Sequence, residues 1–129
     1  MPLLTKDAIL NAQDLQRVEV EVPEWGGTVW IRTLTGNQRD VFEASLMKAN
    51  GKTQNLTNVR GRFAALVVCD ESGTQMFNDA EAMKLGEKSA AALNRIWDAG
   101  TQLNGIGEEA VKELEKNSGA TLGGDSNSA

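Results

Sequence analysis

Apolar and charged residues alternate strictly in one stretch near the start of the chain. A short helix is predicted before it, over about 6–12, because Thr5 precedes a polar pair and a run of apolar residues. Three valines then alternate with charged residues in RVEVEV, residues 17–22, as expected of a strand that buries one face. Pro23 ends this strand, a glycine pair can form the turn, and a second β-rich run, TVWIRTL, follows. The pattern predicts a β-hairpin over about 17–34 that packs on the rest of the chain.

After the hairpin, apolar residues recur every three or four positions, which predicts helices over about 36–116. Thr35 and Gln38 have the spacing of a capping box at the start of the first of these helices. The predicted inner face of this helix includes Val41 and Phe42. A capping box followed by a 3.6-residue period is typical of a helix that packs on a core.

The next helix is the most apolar one, and it is the predicted centre of the core. It starts near Asn58 and extends to Cys69, where the turn DESG follows. Two further helices are predicted to begin near Asn78 and at Ser89, and a last one covers 107–117.

The end of the chain changes in composition. From Ser118 the sequence is small, polar and rich in glycine and serine, which predicts a flexible, disordered tail over 118–129. The sequence therefore predicts a mainly α fold with a small N-terminal β-hairpin (α+β), in a compact single helical domain over residues 1–117.

Length and composition narrow the possible functions. A chain of 129 residues suits one domain that can fold without a disulfide or a metal ion. With 13 basic and 18 acidic side chains the net charge is −5, which argues against general binding to duplex DNA. Residues 1–64 hold 8 basic and 7 acidic side chains, so the excess of negative charge lies in the second half and could steer self-association. No apolar run is long enough to span a membrane, and we expect a soluble, cytoplasmic protein.

The candidate chemical motifs each lack a part that their chemistry requires. The match to GxGxxA at residues 105–110 follows a helical pattern rather than the strand that dinucleotide binding needs. Asp70 and Glu81 have the spacing of a calcium loop, but its third, fifth and sixth positions hold no Asp, Asn or Gly. Cys69 is the single cysteine, and the chain has no histidine to activate it. We therefore expect no enzyme activity, no cofactor and no bound metal.

Two tryptophans in the hairpin are candidates for binding a partner protein. Trp25 lies in the turn, where burial is hard to arrange, and aromatic residues on a projecting hairpin are typical interface anchors. Trp30 lies on the same strand face as Arg32, and either it contacts a partner or it covers the helical core. The predicted partner-binding residues are Trp25, Trp30, Arg32 and Arg39.

Several segments in this order resemble the tail assembly chaperones of long-tailed phages or prophages with non-contractile tails. The resemblance covers about residues 5–116. It depends on the hairpin PEWGG-x-VW-x-R, the turn CDESG, and GEKSAAALNRI followed by LNG. None of these segments is a catalytic signature, so the resemblance comes from their order and spacing.

The resemblance implies a mostly helical fold with a small β component. It implies a non-enzymatic protein of the host bacterial cytoplasm that binds the tape measure protein, keeps it soluble and helps the tail tube protein polymerise around it. Such proteins are absent from the mature virion, and many are the short product of a frameshifted gene. We expect self-association into a higher oligomer, because many weak contacts along one client gain avidity, and we expect neither nucleic acid nor a membrane as partner.

Two other functions share some of these features. A small structural tail or head-completion protein would have the same size and the same lack of chemistry, but it would be present in the virion. A nucleic-acid-binding regulator would use Arg39, Arg60 and Arg62, although the acidic excess argues against it.

Overall fold

The computed structural model of the protein describes residues 2–47 and 55–106, which form five helices and three strands. The helices are α1 (Lys6–Leu10), α2 (Gly36–Ser45), α3 (Val59–Val67), α4 (Asp79–Leu85) and α5 (Ala90–Leu103). The strands are β1 (Arg17–Val22), β2 (Gly27–Arg32) and β3 (Val68–Cys69), and a 3₁₀ turn, Pro23–Trp25, joins the first two. The α+β class expected from the sequence is confirmed. The predicted helix over 107–117 and the tail over 118–129 lie outside the described residues.

The three strands form one antiparallel sheet in the order β1-β2-β3. Across the hairpin Val20 lies opposite Val29, and Val18 lies opposite Ile31. Val20, Val29 and Ile31 pack in or against the core, so the alternation in the sequence marks the buried face of the sheet. The predicted hairpin is confirmed, with strands that are shorter than the range 17–34.

The third strand corrects a prediction. The apolar helix does not extend to Cys69, because α3 ends at Val67 and the next two residues form β3. Val68 lies opposite Ile31, and Cys69 lies opposite Trp30. This pairing gives hydrogen-bond partners to backbone groups on the second edge of β2, which would otherwise lack them. The apolar run could not reveal the change, since a buried helix and a buried strand both read as continuous apolar sequence.

Phe63 of α3 lies at the centre of the core, as predicted for this helix. Its side chain is fully buried, and its ring centroid lies 5.4 Å from that of Phe42 and 5.0 Å from that of Trp97. Gly100 of α5 approaches the same ring so closely that an added methyl group would lie 2.6 Å from its Cε2 atom. The packing of α5 on α3 therefore depends on a residue without a side chain at position 100.

Helix α2 begins as predicted, but its buried apolar face is narrower than the predicted one. Thr35 accepts a hydrogen bond from the backbone N–H of Gln38, whose side chain accepts one from the N–H of Thr35, so the predicted capping box is confirmed. Phe42 and Leu46 are buried, whereas Val41, predicted on the inner face, is 67% exposed. Phe42 and Leu46 are one turn apart and face the core together, and Val41 lies about 100° away from Phe42 around the helix.

Arg62 joins the end of α2, the segment before α3 and α3 itself. Its guanidinium donates four hydrogen bonds, to the carbonyl oxygens of Thr57 (3.1 Å), Ser45 (3.1 Å) and Asn55 (2.7 Å) and to the Ser45 hydroxyl (2.7 Å). The side chain is half-buried, and burial lowers the pKa of the guanidinium, which stays charged at neutral pH. Arg62 therefore has a structural role, because its hydrogen bonds hold α2, α3 and the segment before α3 together.

Candidate functional site

An apolar groove lies between the hairpin turn and helix α4. Its volume is about 430 Å³. The lining residues are Trp25, Phe77, Glu81, Lys84, Leu85 and Lys88. A concave, mainly apolar surface with a few charged groups is the usual form of a binding site. We refer to it as the Trp25 groove.

The hairpin turn places Trp25 in the wall of this groove. Pro23 begins the 3₁₀ turn, and Gly26 ends it at a φ of 77°, a left-handed conformation that glycine adopts without strain. Glu24 accepts two hydrogen bonds from Arg95 of α5, at 2.8 and 3.3 Å, which hold the turn to the helical part of the fold. These hydrogen bonds lower the pKa of the Glu24 carboxyl. Trp25 is 36% exposed, so part of its ring is available to a partner.

Helix α4 and the turn after it form the opposite wall. Glu81, Lys84, Leu85 and Lys88 are three, four and seven positions apart, a spacing that puts them on one side of the segment. A second capping box starts the helix: Asn78 accepts from the N–H of Glu81, and the Glu81 side chain accepts from the N–H of Asn78. Leu85 is buried, whereas Lys84 and Lys88 are exposed. The groove thus combines an apolar interior with a rim that bears an excess of one positive charge.

Trp30 lies on the face of the sheet opposite to that of Val29 and Ile31. It alternates along β2 with Val29 and Ile31, which face the core. The guanidinium carbon of Arg17 lies 5.0 Å from the centre of the Trp30 ring, within the range of a cation–π interaction. Trp30 is half-buried and is not among the side chains that pack against the hydrophobic core. Whether it contacts a partner stays a prediction.

Arg32 lies at the end of β2, where the turn after β3 surrounds it. Its Nε atom donates to the carbonyl oxygen of Leu66 at 2.9 Å, and its Nη1 atom donates to that of Gly73 at 3.3 Å. Its Nη2 atom donates to the side-chain oxygen of Gln75 at 3.4 Å. The side chain is half-buried and holds the turn against the sheet.

Arg39 links α2 to the end of α5. It forms an ion pair with Glu43 at 3.2 Å, and its Nη1 atom donates to the carbonyl oxygen of Asn104 at 3.2 Å. The side chain of Asn104 accepts from the N–H of Leu34 at 2.7 Å and donates to the carbonyl oxygen of Arg32 at 3.3 Å. Asn104 thus links the Arg39 side chain to the backbone at the end of β2.

The structure separates the side chains that the sequence predicts to bind partners. Trp25 lies two positions before the first residue of β2, and Arg32 is the last residue of that strand, so roughly 17 Å of strand lies between them. Of the four, Trp25 lines the groove. Arg32 and Arg39 make hydrogen bonds within the fold, and Trp30 lies under Arg17. A role of these three residues in partner binding stays a prediction.

Sequence analysis does not identify the other residues of the groove. Lys84, Leu85 and Lys88 have a helical spacing that could have been recognised as one face of a short helix. Phe77 directly precedes the helix that is predicted to begin near Asn78. What the sequence could not show is that this face lies opposite Trp25, because about fifty to sixty residues separate the two walls.

The described residues offer little reactive chemistry. Cys69 is 1% exposed, and burial raises the pKa of its thiol, so it is a poor nucleophile in the folded chain. Within residues 2–47 and 55–106, no three His, Cys, Asp or Glu side chains cluster so that they could hold a metal ion. None of the helices in this part of the chain has both the length and the apolar character to cross a membrane.

A small antiparallel sheet packed on helices in this arrangement is the fold of a phage tail assembly chaperone. The chain is similar to a solved structure, that of the bacteriophage HK97 tail assembly chaperone, with 18% sequence identity and a TM-score of 0.53. The match covers 76% of this chain and 96% of that chain. At this identity the likeness shows the fold, and the fold that the sequence resemblance implies is confirmed. No protein-family model and no curated protein sequence matches the chain.

Proposed function

We propose that this chain is a phage tail assembly chaperone that acts in the host bacterial cytoplasm. In this proposal it binds the tape measure protein, keeps it soluble and promotes polymerisation of the tail tube protein around it. The supporting observation is the structural likeness to the HK97 tail assembly chaperone over 96% of that protein's chain. The segments that carry the sequence resemblance form the 3₁₀ turn and β2, the turn after β3, and parts of α5 with the residues next to it.

The physical task of such a chaperone is to cover apolar surface. A long helical client exposes apolar stripes until a tube surrounds it, and exposed stripes aggregate. A protein that acts by binding holds such a client by mass action. Many copies on one client gain avidity from contacts that are individually weak. Self-association into a higher oligomer is therefore part of the proposal, and the Trp25 groove is the surface we assign to partner contacts.

Co-expression with the tape measure protein from the same phage or prophage tests the proposed function. We expect the tape measure protein to be insoluble alone, and to be soluble and to co-purify with several copies of this chain when both are made. An unrelated acidic protein of similar size is the control. A tape measure protein that aggregates equally in both cases would contradict the proposal.

Trp25→Ala tests the assigned surface. The hydrogen bonds between Glu24 and Arg95 hold the turn without the indole ring, so we expect the circular dichroism spectrum to be unchanged and partner association to weaken. Met83→Ala is the matched control, because Met83 is 69% exposed on α4 and does not line the groove. If Trp25→Ala unfolds the chain, Trp25 belongs to the core and the assignment is wrong.

Two further observations separate a chaperone from a small structural tail or head-completion protein. Mass spectrometry of purified particles should not detect this chain if it is a chaperone. The gene should contain a slippery heptamer near its 3′ end with an overlapping downstream frame if the chain is the short product of a frameshifted gene. A chain present in stoichiometric amounts in the particle would favour the structural alternative.

A further inference from the structure

The fifteen residues before β1 carry an apolar surface that the described fold leaves uncovered. Residues 2–16, here the N-terminal arm, contain helix α1 and no buried side chain. Large aliphatic side chains project from the arm with exposed fractions between 58% and 98%. They are Leu3, Leu4, Ile9, Leu10 and Leu15. So many exposed aliphatic groups in a short segment mark an interaction surface.

The arm and the Trp25 groove have complementary charges. The arm bears Lys6, Asp7 and Asp14, a net charge of −1. The groove rim bears Lys84 and Lys88 with one carboxylate, a net charge of +1. An apolar segment with acidic groups beside it thus matches an apolar groove with a basic rim.

The arm and the groove lie at opposite ends of the hairpin. The arm joins the fold at Gln16, whose backbone bonds to Thr33, and at Arg17, which pairs with Arg32, whereas Trp25 follows the last residues of β1. The six residues of β1 span roughly 17 Å, so an arm would have to fold back along the whole strand to reach the groove of its own chain. In the structure it remains exposed instead.

We propose that the N-terminal arm of one copy occupies the Trp25 groove of a second copy. Because the arm and the groove are different surfaces at opposite ends, each copy can accept one neighbour and bind another, which gives a head-to-tail array or a ring. The use of this array to hold a client rests on the proposed function, whereas the pairing of arm and groove stands on the geometry.

The contact between one arm and one groove, called the joint below, buries less area than a stable interface. Five partly exposed aliphatic side chains at roughly 100 Å² each give about half to two thirds of the ~800 Å² that each partner buries in a stable interface. We therefore expect reversible, concentration-dependent association rather than a permanent oligomer. Contact with one long client would add avidity to many such joints.

Sedimentation velocity of the full chain over a range of concentrations tests the pairing. We expect the wild type to associate as concentration rises, and Ile9→Asp with Leu10→Asp to raise the association midpoint at least about tenfold. The control is Val41→Asp, which also places an acidic group at an exposed aliphatic position but lies outside the arm and the groove. Association that is absent in the wild type, or lost equally in the control, overturns the proposal.

Charge reversal tests which surfaces meet. Lys84→Glu with Lys88→Glu should weaken self-association, and so should Asp7→Lys with Asp14→Lys. A mixture of the two variants should associate better than either alone, because one supplies a basic arm and the other an acidic rim. Failure of the mixture to recover association would show that the arm does not meet the groove.

The same variants separate this inference from the proposed function. If the arm variant is monomeric and still keeps the tape measure protein soluble, the joint is real and the array is not needed for the chaperone role. If the arm variant associates like the wild type while the client is held, the inference is wrong and the proposed function stands.

Discussion

Arg62→Ala tests whether this arginine stabilises the fold rather than forming a nucleic-acid-binding surface with Arg39 and Arg60. The change removes four hydrogen bonds of 2.7–3.1 Å that join α2, α3 and the segment between them. A hydrogen bond from a charged donor contributes roughly 1.5–3 kcal/mol. The bonds share one half-buried group, so they are not additive and water replaces part of them. We expect the free energy of unfolding to fall by about 3 kcal/mol.

Arg60→Ala is the matched control, because it removes the same charge from the same helix. Arg60 is exposed, donates one hydrogen bond to Asn94 at 2.6 Å, and its guanidinium carbon lies 5.2 Å from the centre of the Trp97 ring. We expect this change to cost about 1 kcal/mol or less. Urea unfolding followed by circular dichroism at one protein concentration measures both variants, and about 3 kcal/mol corresponds to a midpoint shift of roughly 1.5–2 M.

The stabilities of Arg62→Ala and Arg60→Ala can contradict the structural role assigned to Arg62. If the two variants lose equal stability, the hydrogen bonds of Arg62 do not hold the end of α2, and the structural role assigned to it is wrong. If both keep full stability and the chain binds nucleic acid in a salt-dependent manner that either change abolishes, the regulator alternative gains support.

Three further predictions concern the core, the turn after β3 and the thiol. Gly100→Ala gains about 1 kcal/mol of helix propensity but forces a methyl group against Phe63. We therefore expect the free energy of unfolding in urea to fall by about 1–2 kcal/mol. Gly36→Ala is the control, because the space around Gly36 is open, and it should cost no stability. Hydrogen bonds, chiefly from the Ser72 hydroxyl, lower the pKa of the Asp70 carboxyl in the folded chain. The ionised carboxylate therefore stabilises the fold above the unfolded pKa near 3.8, and this stabilisation is lost as pH falls through the lower folded pKa. The melting temperature of Asp70→Asn should fall less than that of the wild type between pH 6 and pH 2. Cys69 should react with Ellman's reagent only as fast as the chain unfolds, and rapid reaction in buffer without urea would contradict its burial.

The features that could be predicted from the sequence are local. The capping box of α2 needs only Thr35 and Gln38, three positions apart, and the hairpin needs only an alternation and a turn. Phe63 could be recognised as a core residue because its helix is the most apolar one. In each case the information lies within a few turns of chain, where spacing determines which side chains share a face.

The features that escaped prediction depend on distant contacts. Val68 becomes a strand residue because Ile31, thirty-seven positions earlier, presents an edge that needs pairing. The groove exists because the turn holding Trp25 lies opposite Leu85, sixty positions later. Arg32 looked like a residue that could contact a partner, since nothing in its neighbourhood shows that the carbonyl groups of Leu66 and Gly73 surround it.

The position of β3 in the chain has a consequence for synthesis on the ribosome. The hairpin is complete at residue 32, but the strand that pairs with its second edge is made only at residues 68–69. At about 5–20 residues per second, this edge waits roughly two to eight seconds for its partner. On a crowded polysome, nascent copies therefore emerge side by side with an open sheet edge, and the middle of each chain must be translated before that edge is closed.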